Sequence, residues 1–292
     1  MIKERVVKKR NSNINSLIIK PFKRSKNWLR MLFLQSKYQL HPIHSIQEMK
    51  NAIVAAIELA SAKRSNRKTP SEKDPRFQFR GTRVPILRSI FKAKKNEFLA
   101  NNEADRVALI DALMKTNMAE EQLIAISFMG LMPKFFSSST MKQLDRWLGM
   151  LHGWSLIDHL SIELIRSLLE QDEELLFEWI EKWSRSKSYW KRRLSAVAFV
   201  RKIAAQRRFH ARALELCERL AFDEEDMVQK GVGWCLQDLM RTGEPAVFEL
   251  LCKLRKEAAP STVIAYALRK SSPEIKDSVR LIGVAKFPRE KH

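Results

Sequence analysis

Three short stretches of this chain place aromatic rings beside charges at helical spacing. The first is Trp154-Ser-Leu-Ile-Asp158. Its apolar stripe continues through Ile157, Leu160, Leu164 and Leu168, which leaves Trp154 and Asp158 as i, i+4 neighbours on the flank. The second is Tyr189-Trp190-Lys191-Arg192-Arg193, opening a helix that is apolar from Leu194 to Val200 except at Ser195. Arginine at a helix N-terminus gains nothing from the dipole, but that end is a ready site for phosphate. The third is residues 226–243. Val228, Val232, Cys235, Leu236 and Leu239 share one arc of it, and Lys230, Trp234 and Gln237 fall opposite. Gly231 and Gly233 cost a helix about 1 kcal/mol each relative to Ala, so something is expected to approach that backbone closely.

Rings interleaved with Arg and Lys on one face fit nucleic acid, where cations neutralise phosphates and rings stack or pack on sugars. Each residue also has an ordinary reading. Trp154 is then core filler, Asp158 pairs with a nearby Arg, Arg193 is a solvated helix end, and Trp234 packs on a neighbouring helix pair.

The elements that must position these residues are nearly all helical. The chain has 292 residues, few glycines (8), and long runs of Leu, Ala, Glu, Lys and Arg. From Ser45 the apolar residues Met49, Ile53, Ala56, Ile57 and Ala60 repeat at threes and fours. Residues 61–76 form a polar loop, and a turn at Gly81 and Pro85 leads into a helix from about Val84. Helices are then expected over 103–116, 119–132, 139–150, 154–170, 172–183, 188–204, 207–221, 226–241, 244–257 and 261–270. Trp154, Trp190 and Trp234 lie 36 and 44 residues apart with two helices per interval, near the period of HEAT and armadillo repeats. The expected fold is all-α, a curved solenoid of antiparallel HEAT-like helix pairs over residues 41–275; a compact helical bundle is the alternative. Residues 276–292 are expected to be a basic C-terminal tail.

A formal charge of +21 calls for an anionic partner, nucleic acid first and acidic membrane second. Residues 1–40 contribute eleven Lys or Arg against one Glu. They read as a disordered basic arm, a targeting presequence or an over-long start, the arm being favoured. Cys217, Cys235 and Cys252 are odd in number and widely spaced, indicating neither a disulfide framework nor a metal site. No apolar run is long enough to span a membrane. A soluble, cytoplasmic and nucleoid-associated protein is expected.

The runs HGWSLIDHL, SYWKRRLSAVAF and VQKGVGWCLQDLMRTGEPAVFELL, with the turn FRGTRVPILR, resemble the DNA alkylation repair family, the AlkD-like glycosylases built from HEAT-like repeats. The resemblance covers about residues 45–275 in unbroken order. It implies that Asp158, Trp154, Trp234 and Arg193 are the catalytic set; the cations Arg192, Lys230, Arg83 and Lys191 are expected to contact DNA. It further implies a monomeric, monofunctional N-glycosylase that needs no metal or small-molecule cofactor. Its substrates would be cationic alkylpurines, N3-methyladenine and N7-methylguanine, in duplex DNA. Asp158 would stabilise the oxocarbenium-like sugar, the two Trp faces would flank the nucleotide, and Arg193 would hold the adjacent phosphate, with no base flipped into a pocket. Two other readings stay open: a non-catalytic HEAT-repeat DNA-binding protein and a helical scaffold for proteins.

Overall fold

The computed structural model describes residues 45–62, 72–242 and 245–283; the expectations placed on residues 1–40 lie outside them. The described residues are helical, and their one β-like contact is an isolated bridge between Gln78 and Met118.

The helices are α1 (Ile46–Ala62), α2 (Val84–Ala100), α3 (Glu103–Met114), α4 (Ala119–Met129), α5 (Met141–Leu148), α6 (Trp154–Leu160), α7 (Arg166–Gln171), α8 (Glu173–Ser184), α9 (Tyr189–Val197), α10 (His210–Leu220), α11 (Asp226–Met240), α12 (Pro245–Lys256), α13 (Ser261–Leu268) and α14 (Pro273–Arg280). Their starts follow from local chemistry. Asn102 and Asp172 cap α3 and α8 by accepting from the backbone N–H of Asp105 and Leu175, at 2.9 and 3.1 Å. Pro85 stands in the first turn of α2, where its missing N–H costs nothing.

Packing alternates along the chain. The helices α2, α4, α6, α9, α11 and α13 each contact the next in that order, while α1, α3, α8, α10 and α12 lie against them as partners. Helix α4 is buried on nearly all faces because α2, α3 and α6 all press on it. Two indoles tie successive units together: Trp147 Nε1 donates to Asp111 at 3.1 Å and Trp183 Nε1 donates to Asp145 at 2.7 Å.

Four local expectations change. The helix expected over 188–204 ends at Val197 and residues 198–205 continue as turns. Its apolar run does not betray this, because Phe199, Val200, Ile203 and Ala204 remain buried. The stop is tertiary: the Ser161 hydroxyl donates to the Val197 carbonyl at 2.5 Å, and the Arg201 N–H donates to Asp238 at 2.8 Å. The helix expected over 154–170 is interrupted by a π-helical turn, Ser161–Ile165. Gln237, expected on a polar face, is buried and donates to the Tyr266 carbonyl at 2.7 Å, because α13 covers that side of α11. The boundary expected at 275 falls inside α14, which packs on α12 and buries Val279 completely.

Candidate active site

The consecutive helices α6, α9, α11 and α13 enclose a cleft of about 990 Å³. Trp154 and Asp158 line it from α6, and Arg193 from α9. Arg201 and Lys202 come from the turn after α9. Helix α11 and its end add Met227, Lys230, Trp234, Asp238 and Arg241, and Tyr266, Arg269 and Lys270 come from α13 and the residues after it. Seven of the lining side chains are cationic and two are carboxylates. Such a cleft concentrates anions by focusing one sign of field between low-dielectric walls.

Asp158 and Arg193 form a bidentate pair. Arg193 Nε donates to one carboxylate oxygen at 3.0 Å and Nη2 to the other at 2.9 Å, while Nη1 donates to the Met227 carbonyl at 2.6 Å. Both side chains are largely buried, 6% exposed for Arg193 and 14% for Asp158. Burial raises the Asp158 pKa above the ordinary carboxylate value; Arg193 and Arg201 oppose that rise and Glu72 adds to it. The pairing with a nearby Arg that the ordinary reading of Asp158 anticipated is therefore present, and the Arg is Arg193. The neighbouring His159 cannot serve as an acid at neutral pH. Burial, helped by Arg88, brings its pKa down to about 4, and its ring sits 3.0 Å from the Ser127 hydroxyl.

Trp154 is held from far away in sequence. Helix α6 has no side-chain cap of its own at Gly153. The carboxylate of Glu72 supplies one, accepting from the Trp154 backbone N–H at 2.7 Å. A Cβ at Gly153 would stand 2.5 Å from the Phe77 ring, so only glycine lets this segment come so close. Two residues on, Asp74 accepts from the Tyr189 hydroxyl at 2.7 Å, from Trp190 Nε1 at 3.0 Å and from the side chain and backbone of Arg76. Burial opposes the charge on Asp74, but these donors outweigh it and hold its pKa well below the usual range. The segment is anchored at its far end as well, where Glu120 accepts from the N–H groups of Arg80, Gly81 and Thr82. Residues 72–82 are thus a strap across the starts of α6 and α9.

Trp234 is half-buried in the cleft wall, and the Arg201 guanidinium carbon lies 5.4 Å from its ring centroid. The two glycines beside it differ. A Cβ on Gly233 would meet Tyr266 Cβ at 2.5 Å and the Val263 carbonyl oxygen at 2.8 Å, so the close approach anticipated there is that of α13. A Cβ on Gly231 would meet the Arg193 side chain at 3.3 Å, so that glycine makes room for the ion pair.

Five of the eight residues singled out in the sequence come together in the cleft: Trp154, Asp158, Arg193, Trp234 and Lys230, the last paired with Asp226 at 2.5 Å. The other three do not line it. Arg192 is bidentate on Asp223, at 2.6 and 3.0 Å, and donates to the carbonyls of Ser186 and Lys187. Lys191 pairs with Asp145 at 2.5 Å. Arg83 is exposed at the start of α2. Sequence reasoning missed Tyr266, Arg269 and Lys270, although an aromatic followed by cations at i+3 and i+4 is the same signal as Lys230 before Trp234. It also missed Arg201 and Lys202, which enter the cleft only because α9 stops early, and Glu72 and Asp74, whose partners lie about a hundred residues away.

Comparisons with known proteins speak to the fold and the family. A solved structure described as a predicted DNA alkylation repair enzyme from Enterococcus faecalis superposes with a TM-score of 0.58 at 16% identity, over 70% of this chain and 100% of its own. At that identity it speaks for the fold. No curated protein matches the chain. The model of a family described as DNA alkylation repair enzyme matches residues 51–271, most of the chain and every residue lining the cleft. The chain belongs to the DNA alkylation repair enzyme family.

Proposed function

We propose that this protein is a DNA N-glycosylase that releases cationic alkylpurines, N3-methyladenine and N7-methylguanine, from duplex DNA. The observation that supports this best is a largely buried carboxylate, Asp158, in one cleft with two tryptophans and an excess of cations. Alkylation at N3 or N7 gives the base a positive charge and makes it a good leaving group. The C1′–N bond breaks with its electron pair going to the base, which departs neutral, and the sugar becomes oxocarbenium-like. Asp158 stabilises that charge electrostatically. Water then adds to C1′ and its proton leaves to solvent. No second carboxylate acting as general acid is needed, in contrast to ordinary glycosidases.

In this reading Trp154 and Trp234 flank the nucleotide, and Lys202, Arg241 and Lys270 receive phosphates alongside the exposed Arg83. The cleft opens between helices, and the base reacts without being flipped into a deep pocket. The alternating helix contacts and the repeated Trp–Asp cross-links, Trp147 with Asp111 and Trp183 with Asp145, support a solenoid of HEAT-like pairs. No helix among the described residues is long and apolar enough to cross a membrane.

One observation favours a second reading, a DNA-binding protein without catalysis. Both oxygens of Asp158 already accept from Arg193, so the carboxylate could serve only to hold that arginine. Single-turnover incubation with duplex DNA bearing N7-methylguanine separates the two. Free methylated base is the expected result, and binding with no release would leave the second reading standing.

A further inference from the structure

The two residues that pair inside the cleft are each held one helical turn upstream, and by the same short segment. Trp154 stands four residues before Asp158 on α6, and its backbone N–H donates to Glu72 at 2.7 Å. Tyr189 and Trp190 stand four and three residues before Arg193 on α9. Their hydroxyl and Nε1 donate to one oxygen of Asp74, at 2.7 and 3.0 Å. Four residues span about 6 Å of helix, so a shift at either helix start is passed on to the ion pair. Glu72 and Asp74 are two residues apart, and neither lines the cleft. Arg193 is also tied to α11 through the Met227 carbonyl at 2.6 Å, which limits how far its guanidinium can follow a displaced carboxylate.

We propose that Glu72 and Asp74 are positioning residues: together they clamp the starts of α6 and α9 and so set the geometry in which Asp158 meets Arg193. This rests on the reading of Asp158 as the carboxylate that stabilises the sugar. Asp158 faces Arg193 from α9, Arg201 from the turn after it and Glu72 from the strap, while Lys230 and Asp238 of α11 line the same cleft. The adjacent His159 is uncharged at neutral pH. Glu72 therefore bears on Asp158 by charge as well as by position. Asp74 is neutralised by Arg76, with 2.7 Å between them, and bears on it by position. Losing Asp74 uncovers the Arg76 charge, which alone would favour the Asp158 carboxylate. A loosened Arg193 does the opposite, so the direction of the change tells the two apart.

The test is single-turnover release of N7-methylguanine from duplex DNA across pH, with affinity for the unmethylated duplex and thermal melting measured in parallel. Asp74→Ala should release base about tenfold more slowly at neutral pH, inside the roughly hundredfold that a displacement of about 1 Å can cost. Its affinity for the unmethylated duplex should stay at the parent value, because Asp74 does not line the cleft. The acid limb of its pH–rate profile should move to higher pH, as Asp158 loses part of its hold on Arg193. Glu72→Gln keeps an acceptor for the Trp154 N–H and should recover most of the rate that Glu72→Ala loses. Tyr189→Phe changes no charge and leaves Trp190 and Arg76 on Asp74. It should move the acid limb the same way by a smaller amount, and it reads the clamp even if Asp74→Ala does not fold. An acid limb unmoved in Asp74→Ala, or in Tyr189→Phe where Asp74→Ala does not fold, would overturn the proposal and leave the glycosylase reading intact. So would Glu72→Gln as slow as Glu72→Ala. If the parent protein released no base, both would fall.

Discussion

Asp158→Asn keeps the shape of the side chain and removes its charge, and the size of the effect can be worked from the cleft. A developing sugar cation about 4 Å from the carboxylate gains about 4 kcal/mol at an effective dielectric near 20. Arg193 holds both carboxylate oxygens, so the sugar feels an ion pair rather than a lone charge. A guanidinium about 8 Å away on the far side cancels about half of that gain. About 2 kcal/mol remains, a roughly thirtyfold loss in rate. Affinity for methylated duplex should be unchanged or higher, since a charge that repels phosphate is gone. Folding should suffer less than the roughly 3–5 kcal/mol typical of breaking a buried pair, because the burial that raises the Asp158 pKa is relieved at the same time. The assay is single-turnover release of N7-methylguanine, with affinity and thermal melting taken in parallel. Release at the parent rate would refute the electrostatic role and make Asp158 a structural anchor for Arg193.

The pH dependence follows from the same pair. The carboxylate is the working form, so base release should fall as pH drops through a pKa lying above the ordinary 3.8. Arg193→Ala should move that acid limb to higher pH and Asp158→Asn should abolish it, both read from pH–rate profiles. The stability contributed by Asp158 runs the other way, being fullest below 3.8 and lost as pH rises through the raised value. Gly233→Ala should destabilise the fold by about 3 kcal/mol, the upper end of ordinary overpacking, since backbone of α13 stands in the way. Gly231→Ala meets Arg193 Cγ at 3.3 Å, which asks only a few tenths of an ångström of movement, and should stay within about 1 kcal/mol of the parent; urea melts distinguish the two. Asp74→Asn weakens the acceptor shared by Arg76, Tyr189 and Trp190 and should cost about 1–3 kcal/mol at neutral pH. That difference should narrow progressively as pH falls below about 3.8 and be gone once pH has passed the lowered pKa of Asp74. Removing residues 1–40, with their eleven basic side chains, should flatten the salt dependence of DNA binding, by about 0.9 in log–log slope for each phosphate the arm neutralises.

Helical periodicity is a local property, and most helix positions were legible from it to within a few residues. Helix α11 is an example: its apolar arc set the buried face, and the indole of Trp234 lies off that arc, in the cleft wall. Motif spacing placed Trp154, Asp158, Arg193 and Lys230 because each falls on a helix that packs on the next. The failures are contacts between segments. Nothing local ends α9 at Val197, so Arg201 read as one more residue of an amphipathic helix. Nothing local distinguishes Gly231 from Gly233, which face different neighbours. Lys191 and Arg192 looked like free cations beside a helix start, but their partners Asp145 and Asp223 lie on other elements.

The strap has a consequence for the order in which the molecule assembles. Helix contacts join elements close in sequence, adjacent or with a helix or two between them, whereas Glu72 meets Trp154 across 82 residues and Asp74 meets Tyr189 and Trp190 across 115 and 116. Such contacts must wait for a long loop to close, and nearest-neighbour helix pairs need not. The cleft is therefore completed after the helices that frame it. A chain carrying Glu72→Gln and Asp74→Asn together would keep its helices and loosen its grip on the starts of α6 and α9.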